Sequence, residues 1–171
     1  ILDTATYYTY LNNALDRRDT DLNGESEIFY DGELSNIQSI QNVTKSWIYG
    51  FEIGAKINFS ETLKLTSQYN IVGGTEETDG LEVPVRHVSP NFGNTHLIWQ
   101  NKTIKADAFI NYNGALSFNQ LAPSERSKAY LYALDNDGNP YSPSWYTLNF
   151  RLQYQLNRAT SITTSLENIT D

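Results

Sequence analysis

The sequence contains no cysteine and no methionine, and it has no long apolar segment. Without cysteine, the 171-residue chain can form neither a disulfide nor a thiolate metal site. Its mean hydropathy is negative, and no apolar run approaches the roughly 18 residues of a membrane-spanning helix. A helical membrane protein is therefore excluded. A transmembrane β-barrel is not excluded, because its strands expose only every second side chain to lipid.

Positive charge is also scarce, with 12 lysines and arginines against 20 acids and a net charge of −8. The acidic excess lies in two segments. Residues 16–33 hold seven acids and two arginines, a net charge of −5, and residues 75–87 hold four acids and one arginine, a net charge of −3. Because no basic stripe is present to meet phosphates, nucleic-acid binding is disfavoured.

Aromatic residues, in contrast, are abundant, with 12 tyrosines, seven phenylalanines and three tryptophans. Between residues 43 and 59, the odd positions are apolar or aromatic apart from Lys45, and the even positions are mostly polar. Successive strand side chains point to opposite faces, so this alternation predicts one long, two-faced strand. Strands in soluble domains usually last about 5–6 residues, and the greater length favours an outer-membrane barrel.

Six further strands are predicted, and the connections between strands alternate between long loops and tight turns. The predicted strands cover residues 4–15, 63–72, 94–100, 103–113, 146–156 and 160–168. The long loops cover residues 16–40, 73–93 and 114–144, and the tight turns lie at 60–62, 101–102 and 157–158. This asymmetry is typical of outer-membrane barrels. The facing of residues 4–15 stays open, because both parities carry aromatics, and a soluble β-sandwich remains the alternative fold.

The alternation divides the candidate functional residues between the two faces. On the apolar face, where amphipathic rings settle at headgroup depth, we predict interfacial girdle residues: Trp47, Tyr49, Phe51, Trp99, Tyr112 and Tyr146. On the polar face we predict side chains that line the lumen: Glu52, Lys56, Lys64, Asp107 and Arg151. Two residues of the second long loop are candidate ligand contacts, Arg86 and His87.

One segment resembles the first half of a calcium-binding loop, in which oxygen ligands occur at alternate positions. Its candidate ligands are Asp19, Asp21 and Asn23. The bidentate acid of such a loop would fall at Tyr30, so a plain polar turn is the competing interpretation. Calcium is the only cofactor for which the sequence offers a candidate site.

Other metal sites and catalysis are not expected. The two histidines, His87 and His96, lack a nearby carboxylate pair in the sequence. No nucleophile–base–acid arrangement or phosphate loop is present, so an enzyme is not expected.

Four motifs, in order along the chain, resemble those of a known family. Gly50-Phe51-Glu52 is similar to a Gly-hydrophobic-Glu signature of TonB-dependent outer-membrane receptors, near their C-terminal end. Pro84, Arg86, Pro90 and Gly93, just before His96-Leu97, resemble the family's proline-rich loop that precedes the next strand. Residues 143–149 (PSWYTLN) resemble its entry to the antepenultimate strand, and residues 167–171 (ENITD) its penultimate-strand ending. The residues in these motifs most resemble those of Bacteroidetes-type receptors.

This resemblance implies a fold and a function. Residues 1–171 would be a partial β-barrel that lacks the plug domain and the last strand, with about seven consecutive antiparallel strands of a barrel of about 22. All three long loops would lie outside the cell. The function implied is TonB-energised uptake of a metal chelate, haem, cobalamin or glycan. A non-transporting structural or adhesive barrel remains an alternative.

The same resemblance implies partners. They are outer-membrane lipid, the protein's own plug domain, the TonB complex, a small-molecule or glycan ligand and a surface lipoprotein.

Overall fold

The computed structural model of the chain describes residues 1–78, 80–86 and 88–170. The strands are β1 (Leu2–Asp19), β2 (Glu27–Tyr30), β3 (Glu33–Asn36), β4 (Gln38–Asn58), β5 (Leu63–Thr78), β6 (Leu81–Pro84), β7 (Asn91–Gln100), β8 (Ile104–Asn113), β9 (Ala133–Leu134), β10 (Pro140–Tyr141), β11 (Trp145–Gln155) and β12 (Ser161–Leu166). The helices are α1 (Pro123–Arg126) and two 3₁₀ turns, Phe118–Gln120 and Ala129–Leu131.

Seven of these strands form one antiparallel meander in the order β1-β4-β5-β7-β8-β11-β12, and β6 pairs with β5. Within the described residues, β1 and β12 are the outer strands of this sheet, so the barrel is not closed in this chain. The small hairpins β2-β3 and β9-β10 lie within the first and third long loops. The prediction of an all-β, antiparallel fold with seven consecutive strands is confirmed.

Burial in the sheet is inverted relative to a water-soluble domain. Among the described residues the buried apolar side chains are few: Ile98, Leu121 and Ala122. Five polar residues are buried: Ser46, Glu76, Asp107, Glu125 and Asn149. Large apolar side chains of the sheet are exposed instead, as the wall of a membrane barrel requires. None of the helices in the described ranges is long and apolar enough to cross a membrane.

The strands extend further at the long-loop end than we predicted. β5 continues to Thr78 although Gly73 and Gly74 resemble a loop, and β6 folds back on it, with Thr75 opposite Pro84. The residue pairs between β4 and β5 run to Lys45 and Glu77, so the partner strand satisfies the backbone of the glycine pair. The loop boundaries predicted at residues 16–40 and 73–93 are therefore wrong.

The facing of β1 follows from its pairing with β4. Tyr8 lies opposite Tyr49 and Tyr10 opposite Trp47, so both tyrosines share the apolar face. Tyr7 points to the other face, opposite Gly50, where an added Cβ would overlap the Tyr7 ring. Both parities of β1 carry tyrosine because one of them occupies the space that a glycine leaves on the polar face.

The three tight turns lie where they were predicted, and each is closed by a side chain near its start. Ser60 Oγ accepts the N–H groups of Thr62 and Leu63 at 3.2 and 3.0 Å. Asn101 Oδ1 accepts two N–H groups at 2.8 Å each, and Asn157 Oδ1 accepts one at 2.9 Å. Serine and asparagine favour turns because their side chains bond to nearby backbone in this way.

Two of the sequence motifs meet at the long-loop end of β11. Asn168, at φ 53°, donates its backbone N–H to Asn149 Oδ1 at 3.0 Å. The Ile169 N–H donates to the Leu148 carbonyl at 2.8 Å. The ends of the PSWYTLN and ENITD motifs are thus bonded to each other across the sheet.

Candidate functional site

The charged candidates for the lumen lie together on the polar face of the sheet. Cross-strand pairing places Lys64 opposite Ile98, Ile98 opposite Asp107, and Asp107 opposite Arg151, which makes one row across four strands. Lys56 lies in the neighbouring row, and Glu52 lies nearer the long-loop end. The structure thus brings three of the five candidates into one row. Their contact with ligand or plug stays a prediction.

His96, for which no partner was predicted, lies on the same polar face. His96 Nδ1 donates to Asp107 Oδ1 at 3.0 Å, and the Asp107 carboxylate is nearly buried. The His96 ring stacks on Phe109 at 4.8 Å, and the Arg151 guanidinium lies 5.7 Å from the centre of the same ring. His96 on β7 and Asp107 on β8 are diagonal neighbours across the hairpin. The tight turn at Asn101 fixes the register of this hairpin, so the position of the turn in the sequence could have predicted the pair.

The aromatic girdle candidates all lie on the opposite, apolar face. Tyr49, Phe51, Trp99 and Tyr146 are exposed, whereas Trp47 and Tyr112 are half-buried. The Trp47 ring lies 5.7 Å from Tyr10, and the Tyr112 ring lies 6.1 Å from Tyr69. Exposed aromatics on this face suit the headgroup boundary, and the girdle role stays a prediction.

The third long loop contains an ordered core around Glu125. This side chain is 4% exposed, as is Leu121, and Ala122 is 2% exposed. The Glu125 carboxylate accepts a hydrogen bond from the Tyr132 hydroxyl at 2.8 Å and pairs with Lys128 Nζ at 3.0 Å. Arg126 Nε donates to the Leu121 carbonyl at 2.9 Å. The predicted loop at residues 114–144 is therefore a folded unit.

Tyr132 in this core has a perturbed acidity. Burial, then the hydrogen bond to Glu125 and the charge of that carboxylate, raise the pKa of Tyr132 to about 12. All three effects disfavour the phenolate, because the ionised phenol would lose its donor and meet a second negative charge.

Arg86, the candidate ligand contact of the second loop, lines a groove of about 440 Å³ at the long-loop end of the sheet. We call this the basic groove and define it by its charged lining residues: Arg17, Arg18, Asp19, Glu76, Arg86 and Lys128. Arg86 Nε donates to Glu76 Oε1 at 3.0 Å. Arg86 also lines a second cavity of about 290 Å³. The other candidate of this loop, His87, lies outside the described residues.

The calcium-like segment is organised as a hairpin end. Asn23 and Gly24 have positive φ angles of 57° and 86°, and Leu22 and Glu25 exchange backbone hydrogen bonds of 2.9 and 3.1 Å around them. Asp19 accepts a hydrogen bond from Gln38 Nε2 at 2.8 Å. In the part of the chain that the structure describes, no three His, Asp or Glu side chains are grouped to hold a metal. A calcium site at Asp19, Asp21 and Asn23 therefore stays a prediction.

Two of the three comparisons with known proteins give matches. A family model described as TonB dependent receptor-like, beta-barrel, matches residues 1–169. Among solved structures, the siderophore receptor PiuA from Acinetobacter baumannii is similar, with a TM-score of 0.57 and 13% sequence identity. The alignment covers 99% of this chain and 22% of that receptor, so the chain spans less than a quarter of the receptor's length. At this identity the likeness concerns the fold alone. Comparison with curated proteins finds no match.

Proposed function

The chain belongs to the TonB dependent receptor-like β-barrel family, and from this premise we propose that it supplies wall and extracellular loops to an outer-membrane transporter. The family consists of receptors and transporters of Gram-negative outer membranes rather than enzymes. The transport we propose is TonB-energised import of a scarce nutrient, of the metal-chelate, haem, cobalamin or glycan type.

The inverted burial of the sheet is the observation that carries this proposal. The apolar face exposes large side chains such as Tyr49, Phe51 and Leu97, while Asp107 and Asn149 are buried on the polar side. An apolar outer face needs lipid, and a charged inner face needs water or a protein plug. A barrel of about 22 strands would have such a plugged lumen.

Each proposed partner is assigned to one face or one end of the sheet. Lipid covers the apolar face, and the plug domain or lumen water contacts the row of Lys64, Asp107 and Arg151. TonB engages a region outside this chain. The long loops lie outside the cell, where they meet the ligand and a surface lipoprotein partner. Exposed loop side chains such as Phe29 and Tyr130 support a partner on that side.

The test is a growth experiment with the full-length protein that carries this chain. Strains that lack this gene, or lack TonB, are compared on ferric chelates, haemin, cyanocobalamin and polysaccharides as sole sources. We expect both strains to lose growth on the same source, and membrane fractionation to find the protein in the outer membrane. Outer-membrane location without any source dependence would favour a structural or adhesive barrel. If fractionation found the protein in the soluble fraction, the result would favour the alternative fold, a soluble β-sandwich.

A further inference from the structure

The third long loop, residues 114–144, extends sideways across the end of the sheet. It leaves from β8 and returns to β11, yet α1 lines the basic groove together with Asp19 at the end of β1 and Gln38 at the start of β4. In the sheet, β7 and β5 lie between β8 and β4. Neighbouring strands are about 4.8 Å apart, so the loop spans roughly 14 Å of the sheet instead of standing upright above its own two strands.

The side of the sheet that the loop covers is the polar side. Glu76 of β5 points to this side, where it pairs with Arg86 and is buried. A Cβ added to Gly74, two residues earlier on the same side, would lie 3.2 Å from a methyl group of Val85. Val85 and Arg86 then share the cavity of about 290 Å³ with Leu121 of the third loop. The third loop therefore lies against the second loop, over the polar face.

Contacts within the third loop hold its shape. At its base, Leu116 and Ser142 exchange two backbone hydrogen bonds of 2.9 Å. In its centre, the buried Glu125 carboxylate accepts from Tyr132 and pairs with Lys128. A segment that opens readily has few buried contacts and exposed backbone hydrogen bonds. This loop has the opposite features, so we expect it to keep its position over the polar face.

We propose that the third loop is a fixed partial cover over the mouth of the lumen, and that it limits the size of the solutes that reach the polar face. This inference rests on the proposed function, because the polar face becomes the wall of a lumen only in the complete barrel. The loop acts by its volume and position. Small solutes pass beside it, and large ones are excluded until it opens.

Hydrogen exchange on the full-length receptor in detergent, without added ligand, tests whether the cover is fixed. The amides of Leu121, Glu125 and Lys128 donate to carbonyls inside the loop at 3.2, 2.9 and 3.0 Å. We expect these amides to exchange about 100-fold or more slowly than those of an unstructured peptide. Exchange at the peptide rate would show a freely opening flap and overturn the inference.

Thiol reagents of two sizes test whether the cover limits access. Phe92 shares the polar face with His96, lies at the long-loop end of β7 and is 40% exposed. In a receptor whose other cysteines are replaced by serine, Phe92→Cys is treated with N-ethylmaleimide or with a long polyethylene-glycol maleimide. Both rates are divided by those of Glu61→Cys, at an exposed short turn. We expect the polymer to react about tenfold or more slowly than the small reagent, because it needs an opened loop.

Glu125→Ala is the decisive variant, because it removes the buried carboxylate that holds Tyr132 and Lys128. In the Phe92→Cys receptor it should raise the polymer's rate about tenfold, in proportion to the opened population, and leave the rate of N-ethylmaleimide unchanged. Asp137→Ala, at an exposed turn of the same loop, is the matched control and should change neither rate.

Two labelling results would also overturn the inference: equal rates for the two reagents at Phe92→Cys, or Glu125→Ala receptors that react as the Asp137→Ala control does. Far-ultraviolet circular dichroism checks that each variant is folded. These measurements need neither TonB nor transport. Size-selective labelling without TonB-dependent growth would contradict the proposed function and leave the cover intact. TonB-dependent growth with labelling that ignores size would do the reverse.

Discussion

The two ends of the sheet differ in what determines their structure. At the short-turn end, three connections close through one serine or asparagine side chain each, bonded to backbone within three residues. At the long-loop end, segments distant in sequence pack together. Glu76 of β5 meets Arg86, and β1 and α1 line the same groove. Hydrogen bonds between neighbouring residues are sufficient to form the short-turn end. The structure of the long-loop end depends on strand register and on contacts between loops.

This difference predicts that single substitutions cost most where a residue depends on a distant partner. The largest effect is expected at Gly93, because an added Cβ would overlap the Gln68 backbone oxygen as well as the Tyr112 ring. Backbone atoms cannot move aside as a side-chain end can, so Gly93→Ala should lower the free energy of unfolding by about 3 kcal/mol or more. Denaturant unfolding of the full-length receptor in detergent measures it.

Gly54→Ala is the control for this substitution, because the nearest atom would lie 3.8 Å from the new Cβ. Gly54 is also a strand glycine with a cross-strand neighbour, Asp3. Equal losses at Gly54 and Gly93 would mean that strand glycine is needed for reasons other than close cross-strand contact.

A second substitution tests whether the third loop is held by its buried carboxylate. Glu125→Ala removes the acceptor of Tyr132 and the partner of Lys128, and leaves both polar groups partly buried. We expect a local cost of about 1–3 kcal/mol, visible as faster tryptic cleavage after Arg126 and Lys128. Asp137→Ala, at an exposed turn of the same loop, should leave the cleavage rate unchanged; equal acceleration would contradict the account.

A smaller effect is expected at the short-turn end. Asn101→Ala removes the acceptor of two exposed N–H groups, which water can then satisfy. The expected loss is about 1 kcal/mol in the free energy of unfolding, with no change in strand register. Lys102→Ala in the same turn, where no turn-closing bond is lost, is the control. A loss as large as that of Gly93→Ala would erase the contrast between the two ends.

The smallest effect at neutral pH concerns Tyr132. Its raised pKa, about 12, means that the folded loop binds the phenolic proton more tightly than the unfolded chain does. This contribution to stability is complete below about pH 10, the ordinary tyrosine pKa, and is lost as pH rises toward 12. An ultraviolet difference titration of the wild type against Tyr132→Phe measures it. A transition at ordinary tyrosine pH would contradict the bond to Glu125.

The sequence predicted the strand faces and the short-turn end of the sheet better than the long-loop end. The alternation between residues 43 and 59 indicated both faces of β4, and Ser60, Asn101 and Asn157 indicated the turns, because these signals are local. The family resemblance drawn from four short motifs is confirmed by the match over residues 1–169. The glycine pair at 73–74 misled the prediction of β5, because its strand conformation depends on pairing with β4.

The candidate site was less accessible to sequence reasoning. His96 and Asp107 are 11 residues apart, and only the hairpin register makes them neighbours. The basic groove was missed because a segment's net charge says nothing about where its few bases point. Arg17 and Arg18 were counted as minor members of an acidic loop, although they lie where β1 pairs with the start of β4.

In the proposed barrel, β4 is part of the membrane wall, with lipid on one face and the lumen on the other. Residues 1–171 contain no cysteine, so once any cysteine elsewhere in the full-length receptor is replaced by serine, single cysteines at consecutive positions 48–57 can carry a spin label in lipid vesicles. The measurement compares spin-label accessibility to oxygen, which concentrates in lipid, with accessibility to a water-soluble nickel chelate. We expect Tyr49, Phe51 and Ile57 to favour oxygen, and Glu52 and Lys56 to favour the chelate or neither. Apolar positions inaccessible to both reagents would contradict the barrel wall and support a sandwich.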